Sequence, residues 1–325
     1  MNPTTKEEFD ALCNKYMQNA DDSFNKIATR IAHELNINSR EVYMWREKYI
    51  NNLSISPNIQ PKVKMFEEWV DKYHEPDAAE KVLEYNVTLK KDAHIVPLSD
   101  FHMGSMFLRK DILSEYLKKI LGKENVYILI LGDMVDYGPT GPQDLLKEQQ
   151  LSYKSQRKMA ISMADVIGNR VLACCSGCHS HFGGDEMQTV EEEFAEKTLT
   201  KVYLHDGGFL NLTVGNNKYR IFMTHKTRGG SYMNPSRALM RMHECDIDFD
   251  IGIEAHRHNP NITTSLRRQK PVTVINCGSF KGMDGFANKK GFCPKPTIMP
   301  GFFLSGLEWR VNPFMNWEDG LDLLD

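Results

Sequence analysis

Val126-Tyr127-Ile128-Leu129-Ile130-Leu131-Gly132-Asp133-Met134-Val135-Asp136 is the stretch that decides the fold. Its apolar run is far too short to cross a bilayer and reads as a strand buried on both faces. A glycine stops the run, and two carboxylates follow. The same pattern recurs on either side. Upstream, His94–Leu98 leads into Asp100-Phe101-His102. Downstream, Val171–Cys175 leads into Gly177-Cys178-His179, Tyr219–Met223 into Thr224-His225, and Ile247–Ile253 into Ala255-His256-Arg257-His258. With Val82–Leu89 and Val272–Ile275, these β-branched runs alternate with helical or polar stretches, which predicts a mixed α/β domain.

The chemistry-bearing residues begin where the apolar runs stop. In α/β sheets functional groups gather beyond the carboxyl ends of strands, where the backbone leaves the sheet and side chains converge. Five of the 11 histidines fall at such ends. Asp and His together ligate divalent metals, and one carboxylate can bridge two ions. A two-metal site stabilises the attacking and leaving oxygens of an in-line phosphoryl displacement, and a nearby histidine can protonate the leaving oxygen. Taken singly, Asp100, Asp133 or Asp136 serves a turn or helix cap as readily as a site, and a lone His225 is more often structural. The ordered series favours a site.

That series (Asp100-x-His102, Gly132-Asp133-x-x-Asp136, Gly177-Cys178-His179, His225, Ala255-His256-x-His258) resembles the D-x-H, G-D-x-x-D, G-N-H, H and G-H-x-H motifs of the calcineurin-like metallophosphoesterases. The resemblance spans residues 82–285. It implies a β-sandwich flanked by helices, in αββα layers, and two divalent metal ions, Mn²⁺ first among them. It also implies that Asp100, His102 and His258 hold one ion and that His225 and His256 hold the other, with Asp133 bridging. His179 would be the general acid and Asp136 would orient its ring. Gly207-Gly208-Phe209 and Arg228-Gly229-Gly230 further resemble phage-type phosphoesterases.

Two positions depart from the family. Ala255 replaces a glycine, a minor change where the backbone is ordinary. Cys178 stands where the family has a metal-binding asparagine. As a thiolate ligand it favours Zn²⁺ or Fe over Mn²⁺ and is oxidisable; as a thiol it leaves the second ion weakly held, with His181 a compensating ligand. Cys174 and Cys175 read as small buried apolar residues. Arg228, Arg257 and Lys226 are either phosphate-binding groups or solvated cations. Lys281, Lys289, Lys290 and Lys295, with Phe280 and Phe286, read first as a solvated loop and second as the lining of a substrate groove.

At 325 residues the chain suits two domains, and 41% hydrophobic with 26% charged residues excludes wholesale disorder. A net charge of -3 gives no overall basic field for nucleic acid or an anionic membrane. Seven scattered cysteines do not make a disulfide scaffold. With no apolar leader segment, the expectation is a soluble cytoplasmic protein with no membrane association and an open oligomeric state.

Residues 1–55 show helical spacing (Phe9, Leu12, Tyr16; Ile27, Ile31, Leu35; Val42, Trp45, Tyr49) and predict a small all-α domain. A linker over 56–81, with a helix from Val63 to Tyr73, precedes the catalytic domain at 82–325. Asn25–Tyr49 fits a helix-turn-helix, with Ala32 in the first helix, Asn36 at the tight turn and Ser39 as N-cap. The second helix would offer Arg40, Tyr43, Arg46 and Lys48 to nucleic acid. Residues 1–55 carry 7 Lys+Arg against 8 Asp+Glu, too few cations for strong phosphate neutralisation. A protein-binding or packing module is the alternative. The expected function is a phosphodiesterase or nuclease acting on nucleic acid. A phosphomonoesterase acting on protein or small molecules is one alternative; Tyr137 holds the place of the phosphate-gripping arginine of phosphoprotein phosphatases, which tilts against a protein phosphatase. The remaining alternative is a DNA-binding or scaffold protein whose site has decayed through Cys178.

Overall fold

The computed structural model describes residues 2–17, 22–50, 64, 82–137, 148–180, 188–231, 233–245, 247–267 and 270–324. The expected linker helix and His181 lie outside the described residues. The chain divides into two units, Met1–Ala79 and Glu80–Asp325.

In the first unit, helices α1 (Lys6–Tyr16), α2 (Phe24–Leu35) and α3 (Ser39–Ile50) close around Phe9, Ile27, Ala28, Ile31, Val42 and Tyr49. The Thr5 hydroxyl caps α1 by accepting from Glu8 N. Asn36 ends α2 in the left-handed region at φ 49°, the conformation that Asn tolerates better than most residues. One expectation is corrected here. Tyr43 does not stand out from α3, because its ring meets Phe24 edge-on at 5.3 Å and packs against the helical core. Arg40, Arg46 and Lys48 are exposed, and the Arg46 guanidinium lies over Phe24 at 4.4 Å.

The second unit runs β1 (Leu83–Leu89), β2 (Ala93–Leu98), α4 (Lys110–Leu121), β3 (Val126–Leu131), α5 (Tyr153–Ser162), β4 (Val171–Cys175), α6 (Val190–Glu196), β5 (Gly207–Val214), β6 (Asn217–Thr224), α7 (Arg237–Glu244), β7 (Ile251–Glu254), β8 (Asn261–Arg267), β9 (Lys270–Asn276), β10 (Gly301–Leu304) and β11 (Val311–Phe314). Two mixed sheets result, ordered β1-β5-β6-β7-β9-β8 and β11-β10-β2-β3-β4. Strands β2, β3 and β4 are parallel to one another, as are β6, β7 and β9.

The inner faces pack on each other through Ile95, Leu129, Leu131 and Phe302 of one sheet and Leu210, Ile221, Ile253 and Ile275 of the other. Helices α4, α5 and α6 cover the outer face of the five-stranded sheet, and α7 covers that of its partner. This is the αββα arrangement expected from the sequence. Every residue of β2 and β4 is buried, which is why their apolar runs show no alternation. Among the described residues no helix is long and apolar enough to cross a membrane.

Candidate metal centre

The carboxyl ends of β2, β3 and β4 in one sheet and of β6 and β7 in the other deliver their side chains to one place. Two motif glycines let the loops meet. Gly132 has φ 76°, and a Cβ there would lie 2.4 Å from Gly177 Cα; a Cβ on Gly177 would lie 2.0 Å from Asp133 N. The loops after β3 and β4 therefore touch backbone to backbone, and His179 N donates to Asp133 Oδ1 at 2.8 Å. Asp100, His102, Asp133, His256 and His258 all take positive φ, from 48° to 67°. Each such residue costs on the order of 1 kcal/mol and persists where its surroundings fix it. For Asp100 the fixing contacts are Ser99 Oγ and His256 N, which donate to Oδ2 at 2.8 and 3.2 Å. Ala255 takes no positive φ and is buried between the sheets, so its Cβ is accommodated.

The ligand candidates form two groups. In the first, His258 Nε2 lies 3.0 Å from Asp100 Oδ1 and 3.3 Å from His102 Nε2. In the second, Cys178 Sγ lies 3.5 Å from His256 Nδ1, and with His225 these donors fall within 4.8 Å of one another. Asp133 Oδ2 stands between them, 3.1 Å from His225 Nε2 and 4.0 Å from His102 Nε2.

Proton bookkeeping shows what the cluster fits. His102 Nδ1 faces Asp136 Oδ1 at 2.9 Å, and His225 Nδ1 faces the Leu131 carbonyl at 2.7 Å. Carbonyl and carboxylate oxygens only accept, so both imidazoles donate from Nδ1 and turn Nε2 inward. His225 Nε2 is buried and faces Asp133 Oδ2 at 3.1 Å. Imidazole nitrogens, a thiol and carboxylate oxygens converge on one space, a donor set that divalent cations satisfy once the imidazoles and thiol give up their protons.

The electrostatics agree. Burial pushes His102 and His256 down to about 4, so both are neutral near pH 7. Burial would also lower His225, but the Asp133 carboxylate overrides it and raises this histidine well above its ordinary value. The same pairing, against burial, holds Asp133 well below the usual carboxylate range. Burial opposes ionisation of Asp100 too, and His258 still brings it down to about 2. In the absence of cations, a proton on His225 stands in for one.

All seven expected ligand positions (Asp100, His102, Asp133, Cys178, His225, His256 and His258) meet here. The expected pairing of Asp136 with His179 is not what the structure shows. Asp136 Oδ1 accepts from His102 Nδ1 and from Lys281 Nζ at 2.8 Å. His179 instead places Nδ1 3.1 Å from the Tyr137 carbonyl, with its ring edge-on to His102 at 5.0 Å. Arg228 is exposed. Arg257 turns partly inward, 3.4 Å from the Thr227 carbonyl, and also lines a cavity of about 400 Å³ beside the centre. His258, Lys281, Met283, Phe292 and Lys295 share that wall, so this stretch does form a groove lining, while Lys289 and Lys290 are exposed.

Two supporting residues, Glu254 and Glu191, escaped the sequence reading, and a third, Lys281, was read as part of a solvated loop or groove wall rather than as a partner of Asp136. Lys281 is buried between Asp136 and Asp284, 2.8 Å from each. Glu254 accepts from Thr227 N and Oγ1 and so pins the loop that follows His225. Glu191 accepts from Met134 N beside Asp133. Only Lys281 left a signal: it follows the apolar end of β9 through Gly278-Ser279, another strand end.

No family model matches the chain, and no curated protein does. Among solved structures, the chain is similar to vacuolar protein sorting 29 from Cryptosporidium parvum at 13% identity, covering 69% of this chain and 97% of that one with a TM-score of 0.40. It is similar to Vps29 from Entamoeba histolytica, complexed with Zn²⁺, at 14% identity over 68% and 97%, TM-score 0.35. A metallophosphoesterase from Sphaerobacter thermophilus aligns at 15% identity over 68% and 86%, TM-score 0.34.

Proposed function

We propose that the chain hydrolyses phosphate esters with two divalent metal ions, that diesters are its preferred substrates, and that nucleic acid supplies them. The observation that carries this reading is the pair of inward-facing donor groups meeting across Asp133 Oδ2. When bound, divalent cations supply Lewis acidity to phosphoryl oxygens and make water nucleophilic near neutral pH.

The chain's own residues set the geometry and move the proton. His179, donating from Nδ1 to the Tyr137 carbonyl, keeps Nε2 for the proton that the leaving oxygen takes. Asp136 and Lys281 hold the His102 ring in one tautomer. Arg257 and Lys295, on the wall of the adjoining cavity, offer charge to a phosphate. Arg40, Arg46 and Lys48 on α3 form the surface through which the amino-terminal unit would meet a polynucleotide backbone.

The test is turnover of bis(p-nitrophenyl) phosphate against p-nitrophenyl phosphate with added Mn²⁺, alongside metal analysis. The reading expects two ions per chain, faster diester hydrolysis, and loss of turnover in Asp133→Asn. Turnover of the monoester alone overturns the diester preference; turnover that survives Asp133→Asn overturns the centre. A salt-sensitive gel shift of the full chain, weakened in Arg40→Ala/Arg46→Ala, tests the nucleic-acid step, and an unaltered shift removes it.

A further inference from the structure

We infer that the two metal positions are chemically unequal: Cys178, His225 and His256, closed by Asp133, form a thiolate-bearing position selective for zinc-like ions, while Asp100, His102 and His258 form a position for a harder ion. This rests on the two-metal reading above and adds which ion each side prefers.

The donor sets differ by one atom that matters. The first group offers one carboxylate oxygen and two imidazole nitrogens; the second offers a sulfur and two imidazole nitrogens, and Asp133 Oδ2 stands 4.0 Å from His102 Nε2 of the one and 3.1 Å from His225 Nε2 of the other. Thiolate with imidazole selects zinc and its borderline neighbours, whereas carboxylate oxygen accepts manganese or magnesium. A set of one Cys, two His and one Asp also makes up the four ligands that zinc takes in tetrahedral sites.

The spacing fits coordination. Zinc bonds of about 2.3 Å to sulfur and about 2.05 Å to nitrogen, opened to the tetrahedral angle, separate the two donors by about 3.6 Å. Cys178 Sγ and His256 Nδ1 stand 3.5 Å apart. A thiol–imidazole hydrogen bond accounts for only one of the second group's contacts. It leaves His225 Nε2, buried and facing the Asp133 carboxylate oxygen at 3.1 Å, directed into the same space. One cation bound by all three donors satisfies them together.

The neighbouring thiols have other roles. Cys174 packs under the helices of the five-stranded sheet, while Cys175 and Cys277 pack between the sheets. Cys178 alone among them sits within reach of two imidazoles.

Cobalt(II) reports on this directly, since a thiolate–cobalt bond produces a near-ultraviolet charge-transfer band. The full chain titrated with Co²⁺ should develop that band with one of its two equivalents, and Zn²⁺ should erase it. Cys178→Ser should abolish the band while circular dichroism and the visible cobalt spectrum persist. Zinc affinity at that position should fall more than about tenfold, with manganese affinity changing far less. Should Cys178→Ser not fold, Cys178→Asn, which supplies a neutral oxygen, serves the same comparison. No band at two equivalents of Co²⁺ overturns the inference, as does a band that survives in Cys178→Ser and vanishes in Cys293→Ser. Hydrolysis without the band defeats the inequality and leaves the hydrolase reading standing; the band without hydrolysis does the reverse.

Discussion

His225 Nδ1 lies 2.7 Å from the carbonyl oxygen of Leu131, the last residue of β3. This contact ties the loop after β6 in one sheet to a strand of the other, so the sandwich itself fixes the ring. Because a carbonyl can only accept, it also commits the Nδ1 hydrogen and leaves Nε2 facing Asp133. Ligand orientation here is a product of sheet packing rather than of the loop alone.

Protons and cations consequently compete for His225 Nε2. Burial disfavours the imidazolium, Asp133 favours it more, and the net effect raises this histidine well above its ordinary value. The cation-free centre therefore carries that proton near neutral pH, and loading releases it. Affinity should rise by up to about tenfold per pH unit until the raised value is passed. His102 and His256, both at about 4, add no slope above pH 5. Calorimetry of Zn²⁺ binding in buffers of different ionisation enthalpy counts the protons, and His225→Gln should release about one fewer. An unchanged count rejects this account.

Asp136 serves two donors, His102 Nδ1 and the buried Lys281 ammonium. Asp136→Asn keeps the shape but removes the charge, leaving Lys281 with Asp284 alone. Stability should fall by about 2–3 kcal/mol, below the usual cost of breaking a buried pair because one partner remains. Metal affinity at the Asp100–His102–His258 group should weaken about 10- to 100-fold. Had Asp136 oriented His179 instead, turnover would fall with both ions retained. Metal titration of the variant separates the two roles.

How much of this was legible follows from where each signal is stored. Strands β2, β3 and β4 are buried on both faces, so their apolar runs declare them, and β3 keeps its expected bounds of Val126 and Leu131. Strand β8 carries Thr263, Thr264 and Ser265 at a sheet edge and β11 breaks its apolar residues with Asn312 and Pro313, so neither offers an apolar run; the apolar Phe302-Phe303-Leu304 of β10 is too short to declare a strand. The ligands were readable because each sits just beyond its own strand. Their partners were not. Lys281 meets Asp136 across 145 positions, and its place after the end of β9 does not say which carboxylate it will pair with. Asp136 followed a motif that places it near several histidines, and only packing decided that it would bond to His102.

His94 predicts an acid sensitivity separate from the metal centre. It is fully buried on β2 between the rings of Phe314 and Trp317, and burial lowers it to about 4. An unfolded histidine titrates near 6.5, so between these values the unfolded chain binds the extra proton. Stability is then intact above pH 6.5 and lost as pH falls toward 4, by about 3 kcal/mol for this one group. In His94→Leu, denaturant unfolding should lose that part of the slope whatever its stability at pH 7. Parallel pH profiles for the two proteins would remove His94 as the cause.

Gly177 tests whether the backbone approach of the two loops is what makes the centre. A Cβ there would fall 2.0 Å from Asp133 N and 2.2 Å from its Oδ1, distances that only a backbone shift can relieve. Overpacking of this kind costs about 1–3 kcal/mol, and the shift would carry Asp133 away from His225 and His102 together. Gly177→Ala should therefore lower Tm by several degrees (about 2–4 °C per kcal/mol for a domain of this size) and prevent binding of the second equivalent of metal. Gly122→Ala is the control, since that residue ends α4 with negative φ and its nearest contact is a carbonyl at 3.2 Å. It should bind both equivalents. If Gly177→Ala matches it in metal content, the loops have room that the touching glycines deny, and the bridging position of Asp133 must be held by something other than that contact.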